Sequence, residues 1–159
     1  MNARTFELAD AAATERAGRA IAPALHGGML VALHGELGAG KTTLARGVLR
    51  GLGHAGPVKS PTYGLVEHYQ FSSLYLYHFD FYRFADPVEW ETAGFSEYFR
   101  NDSVCLCEWP EKVAALLPAA DVSLTLSAHA DGSAGRRLVA YANTSAGRRA
   151  VDALHAALA

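Results

Sequence analysis

Two periods run through the apolar positions of this chain. Residues 29–33, Met-Leu-Val-Ala-Leu, make a short continuous apolar run, the pattern of a buried strand. Over residues 41–52 the apolar positions are Leu44, Val48, Leu49 and Leu52, a helical spacing, and Gly53 stands where a helix stop belongs. The same reading predicts a short strand over 5–8 and a helix over 11–22, capped by Asp10 with Pro23 near its end. Residues 65–69 and 74–79 read as strands joined by so short a turn that they pair antiparallel. Asp86-Pro87-Val88-Glu89 is a helix start, with a cap, a proline suited to the first turn and a capping-box acid; Gly94 ends that helix and 95–99 adds another turn. An apolar strand over 103–107 ends at Glu108, and Pro110 opens a short helix that Pro118 closes. Val122, Leu124 and Leu126 alternate with polar residues in a half-exposed strand, and 138–141 return antiparallel after a turn at Asp131-Gly132 and Gly135. Val151, Leu154, His155 and Leu158 form one face of a closing helix. The sum is a single α/β domain over 1–159, with about seven strands in a mixed, mostly parallel sheet flanked by helices.

Between the run at 29–33 and the helix that follows lies Gly35-Glu36-Leu37-Gly38-Ala39-Gly40-Lys41-Thr42, with Thr43 behind it. This fits G-x-x-x-x-G-K-[ST], the phosphate-binding P-loop, in its required strand–loop–helix order. Average glycine usage gives an accidental match in a chain this long a probability on the order of one percent, so the loop reads as a nucleotide site. Glycines at 35, 38 and 40 permit torsions closed to other residues. Successive N–H groups then form an anion nest at the positive end of the helix. Lys41 is placed to reach the β/γ-phosphates and the Thr42 hydroxyl to ligate Mg²⁺.

A P-loop needs a carboxylate near its metal. Asp80 and Glu108 each follow an apolar run, and ligands of open α/β sheets bind beyond the carboxyl ends of the strands. If those strands run parallel to the P-loop strand, one acid holds Mg²⁺ and the other orients or deprotonates an attacking water. The structural alternatives are Asp80 satisfying Arg83 or capping a turn, and Glu108 serving as the first acid of the Pro110 helix. Ser60-Pro61-Thr62-Tyr63 reads equally as a nucleotide-sensing switch loop or an ordinary proline turn. Of His34, His54, His68 and His78, only His78, two residues from Asp80, draws attention. Arg136-Arg137 and Arg148-Arg149 read as solvated turns before docking surfaces or nucleotide contacts, and neither pair is placed as a transition-state finger.

A formal net charge of -2 argues against a free-standing nucleic-acid binder. No apolar run approaches the roughly 18 residues of a membrane span. Residues 1–10 show no signal-peptide pattern, and two cysteines without a disulfide framework fit a reducing cytoplasm. Cys105 and Cys107 read as small hydrophobes in a buried strand before a metal or redox pair.

The P-loop, Val58-Lys59-Ser60-Pro61-Thr62-Tyr63, His78-Phe79-Asp80-Phe81-Tyr82-Arg83 and Glu108-Trp109-Pro110 occur together and in this order. As a set, over about residues 30–117, they resemble the TsaE (YjeE) family of bacterial tRNA threonylcarbamoyladenosine biosynthesis. The resemblance implies a P-loop NTPase-type fold and an ATPase dependent on ATP and Mg²⁺. It also implies two partner proteins, TsaD and TsaB, which transfer threonylcarbamoyl to adenosine 37 of tRNA, so that this chain meets tRNA only through them. By position it makes Thr42 and Glu108 the metal ligands, Lys41 the phosphate lysine and Asp80 a catalytic carboxylate. It makes residues 60–63 a switch-like loop and Trp109 a neighbour of the site. A small-molecule kinase is the rival reading, though no arginine-rich lid is evident between Pro110 and the C-terminus. A second rival is an ATP-dependent docking switch with little hydrolysis.

Overall fold

The computed structural model describes residues 3–61 and 65–158. Its strands are β1 (Ala3–Leu8), β2 (Leu30–His34), β3 (Val66–Gln70), β4 (Tyr75–Asp80), β5 (Ser103–Glu108), β6 (Val122–Ala128) and β7 (Arg136–Ala142). They form one sheet in the order β1-β7-β6-β2-β5-β4-β3. β2 pairs parallel with both β5 and β6, and β4 pairs parallel with β5, while β3, β7 and β1 add antiparallel flanks. Five of the seven strands therefore point the same way, and β2, which feeds the glycine loop, lies at the centre.

The helices are α1 (Ala11–Ile21), α2 (Lys41–Gly51), α3 (Val88–Thr92) and α4 (Ser145–Leu158). Asp10 caps α1, its carboxylate accepting the Ala13 N–H at 2.8 Å. Gly53, at φ 105°, ends the turn after α2 in the left-handed region that favours glycine. Around Asp86 the side chains bond locally, Asp86 accepting the Val88 N–H at 3.0 Å and Glu89 the Asp86 N–H at 3.4 Å, but the N-cap of α3 is Pro87, which makes no side-chain cap bond, so the expected capping box is not formed as read. The helix itself has only five residues.

Alternation along the strands gives the sheet two differently filled faces. Val31, Leu33, Leu76, Val104 and Leu106 face the aliphatic core, which residues of α1, α2 and α4 complete. Leu30, Ala32, Tyr77, Phe79, Cys105 and Cys107 face an aromatic core built with Phe81, Trp90 and Phe95. Two glycines let α1 and α2 approach closely, since a Cβ on Gly18 would stand 2.2 Å from the Leu44 carbonyl and one on Gly47 2.0 Å from that of Glu15.

Two further expectations are corrected. The helix expected from Pro110 to Pro118 is a 3₁₀ turn, Pro110–Val113, followed by turns; between the prolines only Val113 is buried, so little packing offsets the cost of an α-helical nucleus. His155 is not on the buried face of α4; that face is Gly147, Ala150, Val151 and Leu154, while His155 is exposed beside Arg4, 3.1 Å away. Cys105 and Cys107 are buried free thiols, and burial pushes Cys105 up to about 12 and Cys107 well above the ordinary value. They pack as apolar side chains.

Candidate phosphate and metal site

The parity that sorts the core also builds the site. His78 and Asp80 continue the Leu76 face of β4, and Glu108 continues the Val104-Leu106 face of β5, so all three look towards the start of α2. Asp80 and Glu108 stand opposite each other in the parallel register, and Glu108 stands opposite Leu33 of β2. Both acids therefore lie beyond the carboxyl ends of strands parallel to the P-loop strand.

The loop itself adopts the backbone its glycines allow: Gly35, Gly38 and Gly40 have φ of 147°, 81° and 108°. At Gly35 the requirement is also steric, because a Cβ there would lie 2.5 Å from the Leu126 carbonyl oxygen. Lys41 opens α2 and is only 5% exposed. Its Nζ donates to the Gly35 carbonyl at 2.5 Å and to that of Glu36 at 2.9 Å, and sits 4.5 Å from the centre of the Trp109 ring. Burial lowers the Lys41 pKa, and Glu108 and then Asp80 oppose that shift.

One residue along α2, the Thr42 hydroxyl lies 2.5 Å from that of Ser60 and 3.3 Å from Glu108 Oε2. Ser60 Oγ lies 3.5 Å from the same oxygen, and since each hydroxyl carries one hydrogen, one of the pair donates to the other and the second donates to the carboxylate. Glu108 is 3% exposed, and the fully buried His78 approaches it with Nε2 at 2.6 Å. An ionised carboxylate accepts only, so the hydrogen of that bond belongs to Nε2. His78 Nδ1 is buried without a hydrogen-bond partner among the described residues. Two hydroxyls and a carboxylate are hard oxygen donors, the set that suits Mg²⁺ held by one carboxylate together with substrate phosphates.

Asp80 is half-buried at the edge of the same space and accepts the Tyr82 N–H at 3.0 Å. Burial raises its pKa and Glu108 adds to that; the Tyr82 N–H, His78 and Lys41 pull the other way. Trp109 follows Glu108 at φ 56°, ψ 48°, a left-handed conformation that is strained for a bulky residue. Its ring, 4.9 Å from that of Tyr82, roofs the lysine. The pocket these groups enclose holds about 250 Å³ and is lined by Gly38, Lys41, Thr42, Ser60, Asp80 and Glu108 among others.

Sequence reasoning thus places side chains that the fold brings together. Of residues 60–63, Ser60 joins the site and Pro61 is buried, while Thr62 and Tyr63 lie outside the described residues. His34, His54 and His68 fall elsewhere: His34 lies 3.7 Å from Glu111, His54 packs edge-on against Tyr69, and His68 against Tyr77 and Tyr98. What the sequence did not show is the depth of His78 behind Glu108, which its two-residue spacing from Asp80 only suggested. Nor did it show Arg136, which reaches the outer side of the loop and donates to the Ala39 carbonyl at 3.1 Å.

A family model described as threonylcarbamoyl adenosine biosynthesis protein TsaE matches residues 8–138. The tRNA threonylcarbamoyladenosine biosynthesis protein TsaE of Haemophilus influenzae is 53% identical over 103 residues, 65% of each chain. That of Bacillus subtilis is 39% identical over 104 residues, again 65% of each, so these matches span less than two thirds of those relatives' own lengths. The Treponema pallidum protein of the same name is 38% identical across 76% of this chain and 88% of its own. Among solved structures, Bacillus subtilis YdiB superposes with a TM-score of 0.80 at 26% identity, covering 97% of this chain and 95% of that one. The family match runs from the last residue of β1 into β7 and takes in every side chain of the pocket; this chain belongs to the TsaE family.

Proposed function

We propose that this chain is a P-loop ATPase of tRNA threonylcarbamoyladenosine biosynthesis. It binds and hydrolyses Mg-ATP to support threonylcarbamoyl transfer to adenosine 37 of tRNA, which a partner complex of TsaD and TsaB carries out. The observation that carries the reading is the convergence of the Thr42 hydroxyl and the Glu108 carboxylate, 3.3 Å apart, at the start of the glycine-loop helix.

In this reading Thr42 and Glu108 hold Mg²⁺, and the ion supplies positive charge against that developing on the phosphates. Residues 35–43 wrap the phosphates with backbone N–H groups, and Lys41 offers them an ammonium donor. Asp80 stands apart from the Thr42–Glu108 contact, with its proton affinity raised by burial and by Glu108, so its role is to orient or deprotonate the attacking water. Ser60 ties its loop to Thr42 and makes that loop sensitive to what Thr42 ligates. The modest negative charge of the chain fits tRNA being gripped by the partners.

Basic side chains support dependence on those partners. Arg136 is spent on the outside of the P-loop and Arg50 on the His54 and Gly56 carbonyls, so among the described residues Lys41 is the basic residue lining the pocket. An arginine supplied in trans raises P-loop hydrolysis by ~10³–10⁵. The test is phosphate release from Mg-ATP by the full chain, alone and with TsaD and TsaB. Slow release that rises with the pair is expected, and equal rates would overturn the partner requirement. A phosphorylated acceptor in place of free phosphate would make the protein a kinase, and intact nucleotide after a single turnover in the complex would make it a docking switch.

A further inference from the structure

The arginine pair at the start of β7 divides its labour. Arg137 turns out to Glu7 at 2.9 Å, a surface ion pair. Arg136 is half-buried and turns to the back of the glycine loop. Its Nε donates to the Ala39 carbonyl at 3.1 Å and Nη2 to that of Gly38 at 3.4 Å, while Nη1 donates to Ala134 and Gly135 at 3.0 and 2.9 Å. One guanidinium therefore bridges two peptides of the P-loop and two of the β6–β7 hairpin.

We propose that Arg136 is a positioning residue that sets the conformation of the phosphate loop from outside. A trans peptide directs its C=O and the following N–H to opposite sides. Holding the Ala39 carbonyl outward therefore turns the Gly40 N–H away from the arginine, and holding that of Gly38 does the same for the Ala39 N–H, which closes a turn onto the Glu36 carbonyl at 3.0 Å. The fork of the guanidinium suits two adjacent carbonyls, and its position is fixed because Arg136 is paired on both sides, with Ala128 of β6 and Leu8 of β1. The loop is thus braced at two flanks, by Glu108 acting on Thr42 and by Arg136 acting on residues 38 and 39.

The inference rests on the nucleotide reading for its consequence in binding, but its structural part can be measured without nucleotide. In the full chain, Arg136→Gln should speed amide hydrogen exchange of residues 38–41 roughly tenfold, the effect of losing a bond to a charged group. It should weaken Mg-ATP binding by calorimetry to a similar degree while kcat at saturating nucleotide stays within about twofold. Arg136→Lys keeps the charge and loses the fork, so it should resemble the glutamine variant; it also carries the test should that variant fail to fold. Arg137→Gln, which breaks only the pair with Glu7, should match the wild type in both measurements. Unchanged exchange of residues 38–41 in Arg136→Gln overturns the proposal, as does full recovery in Arg136→Lys, which would make the residue a source of charge alone. Wild-type protein that takes up no Mg-ATP would sink the nucleotide reading and leave the exchange comparison to decide the role of Arg136.

Discussion

Replacing His78 with leucine asks how much of the site depends on one buried hydrogen bond. The 2.6 Å contact with Glu108 Oε2 is made at zero exposure for the histidine and 3% for the acid, where water cannot substitute for a lost partner. A bond onto a charged group contributes about 1.5–3 kcal/mol. His78→Leu also removes the unpartnered Nδ1, which returns about 1 kcal/mol, so the single substitution should cost a net ~0.5–2 kcal/mol. Glu108→Leu should cost more, because it leaves buried His78 Nε2 without its partner and also removes the carboxylate that the Thr42 and Ser60 hydroxyls approach. The double variant should approach wild-type stability, since replacing a buried polar pair by apolar groups is often near neutral. Urea unfolding at neutral pH in magnesium-free buffer gives all four free energies, and the expected coupling is about 1.5–3 kcal/mol. Additivity within about 0.5 kcal/mol would refute the claim that His78 holds Glu108 in place. The functional counterpart, a rise in the Mg²⁺ concentration needed for half-maximal hydrolysis in His78→Leu, tests whether that hold serves the metal.

Other substitutions separate the remaining groups. Gly35→Ala puts a methyl 2.5 Å from the Leu126 carbonyl at φ 147°, whereas Gly38→Ala meets open space at φ 81°; thermal unfolding should show the first to be the more damaging, with the second costing about 1–2 kcal/mol. Asp80→Asn should lower turnover while leaving Mg-ATP affinity nearly intact, and a collapse in affinity would make Asp80 a metal ligand or a structural residue. It should also raise the melting temperature at neutral pH. The Asp80 carboxyl is raised on folding, so it favours the fold most below the ordinary value of 3.8 and that contribution is lost as pH climbs through the raised value. The gain from asparagine should accordingly vanish below about that pH, and a gain that persists in acid would contradict the assignment. Lys41→Ala should abolish hydrolysis and weaken phosphate binding, as judged by calorimetry with Mg-ATP.

How much of this was legible in the sequence depended on whether the signal was local. The left-handed glycine torsions of the loop, the Asp10 cap and the alternation of Val122, Leu124 and Leu126 are each written within a few residues, and each forms as read. The pairing of Asp80 with Glu108 was legible only conditionally, because the parallel sense of β4, β5 and β2 is a property of the whole sheet. The Pro110 helix and the place of His155 failed for a related reason. Proline marks where a helix begins without guaranteeing the packing to sustain one, and a histidine at a helical spacing carries no sign of which side it faces. Arg136 was hidden because its four acceptors are all backbone carbonyls, which any residue supplies.

The contacts of Lys41 show how the loop can be built before it binds anything. An ammonium group has three hydrogens and no acceptor. Two of them are committed to the Gly35 and Glu36 carbonyls, which belong to the first two residues of the very loop that Lys41 closes. The lysine thereby draws the start of the loop onto its end, and its ammonium lies 4.5 Å from the centre of the Trp109 ring instead of in water. A third hydrogen remains to be offered to an anion without undoing either bond. Desolvation lowers the pKa of the ammonium, but Glu108 and Asp80 counter it from across the pocket, so the acids that would manage metal and water also help keep the lysine charged. Removing either acid should therefore affect phosphate binding through Lys41 as well as through its own chemistry. For that reason effects of the Lys41, Asp80 and Glu108 variants on turnover should not add, and only their combinations can apportion the three roles.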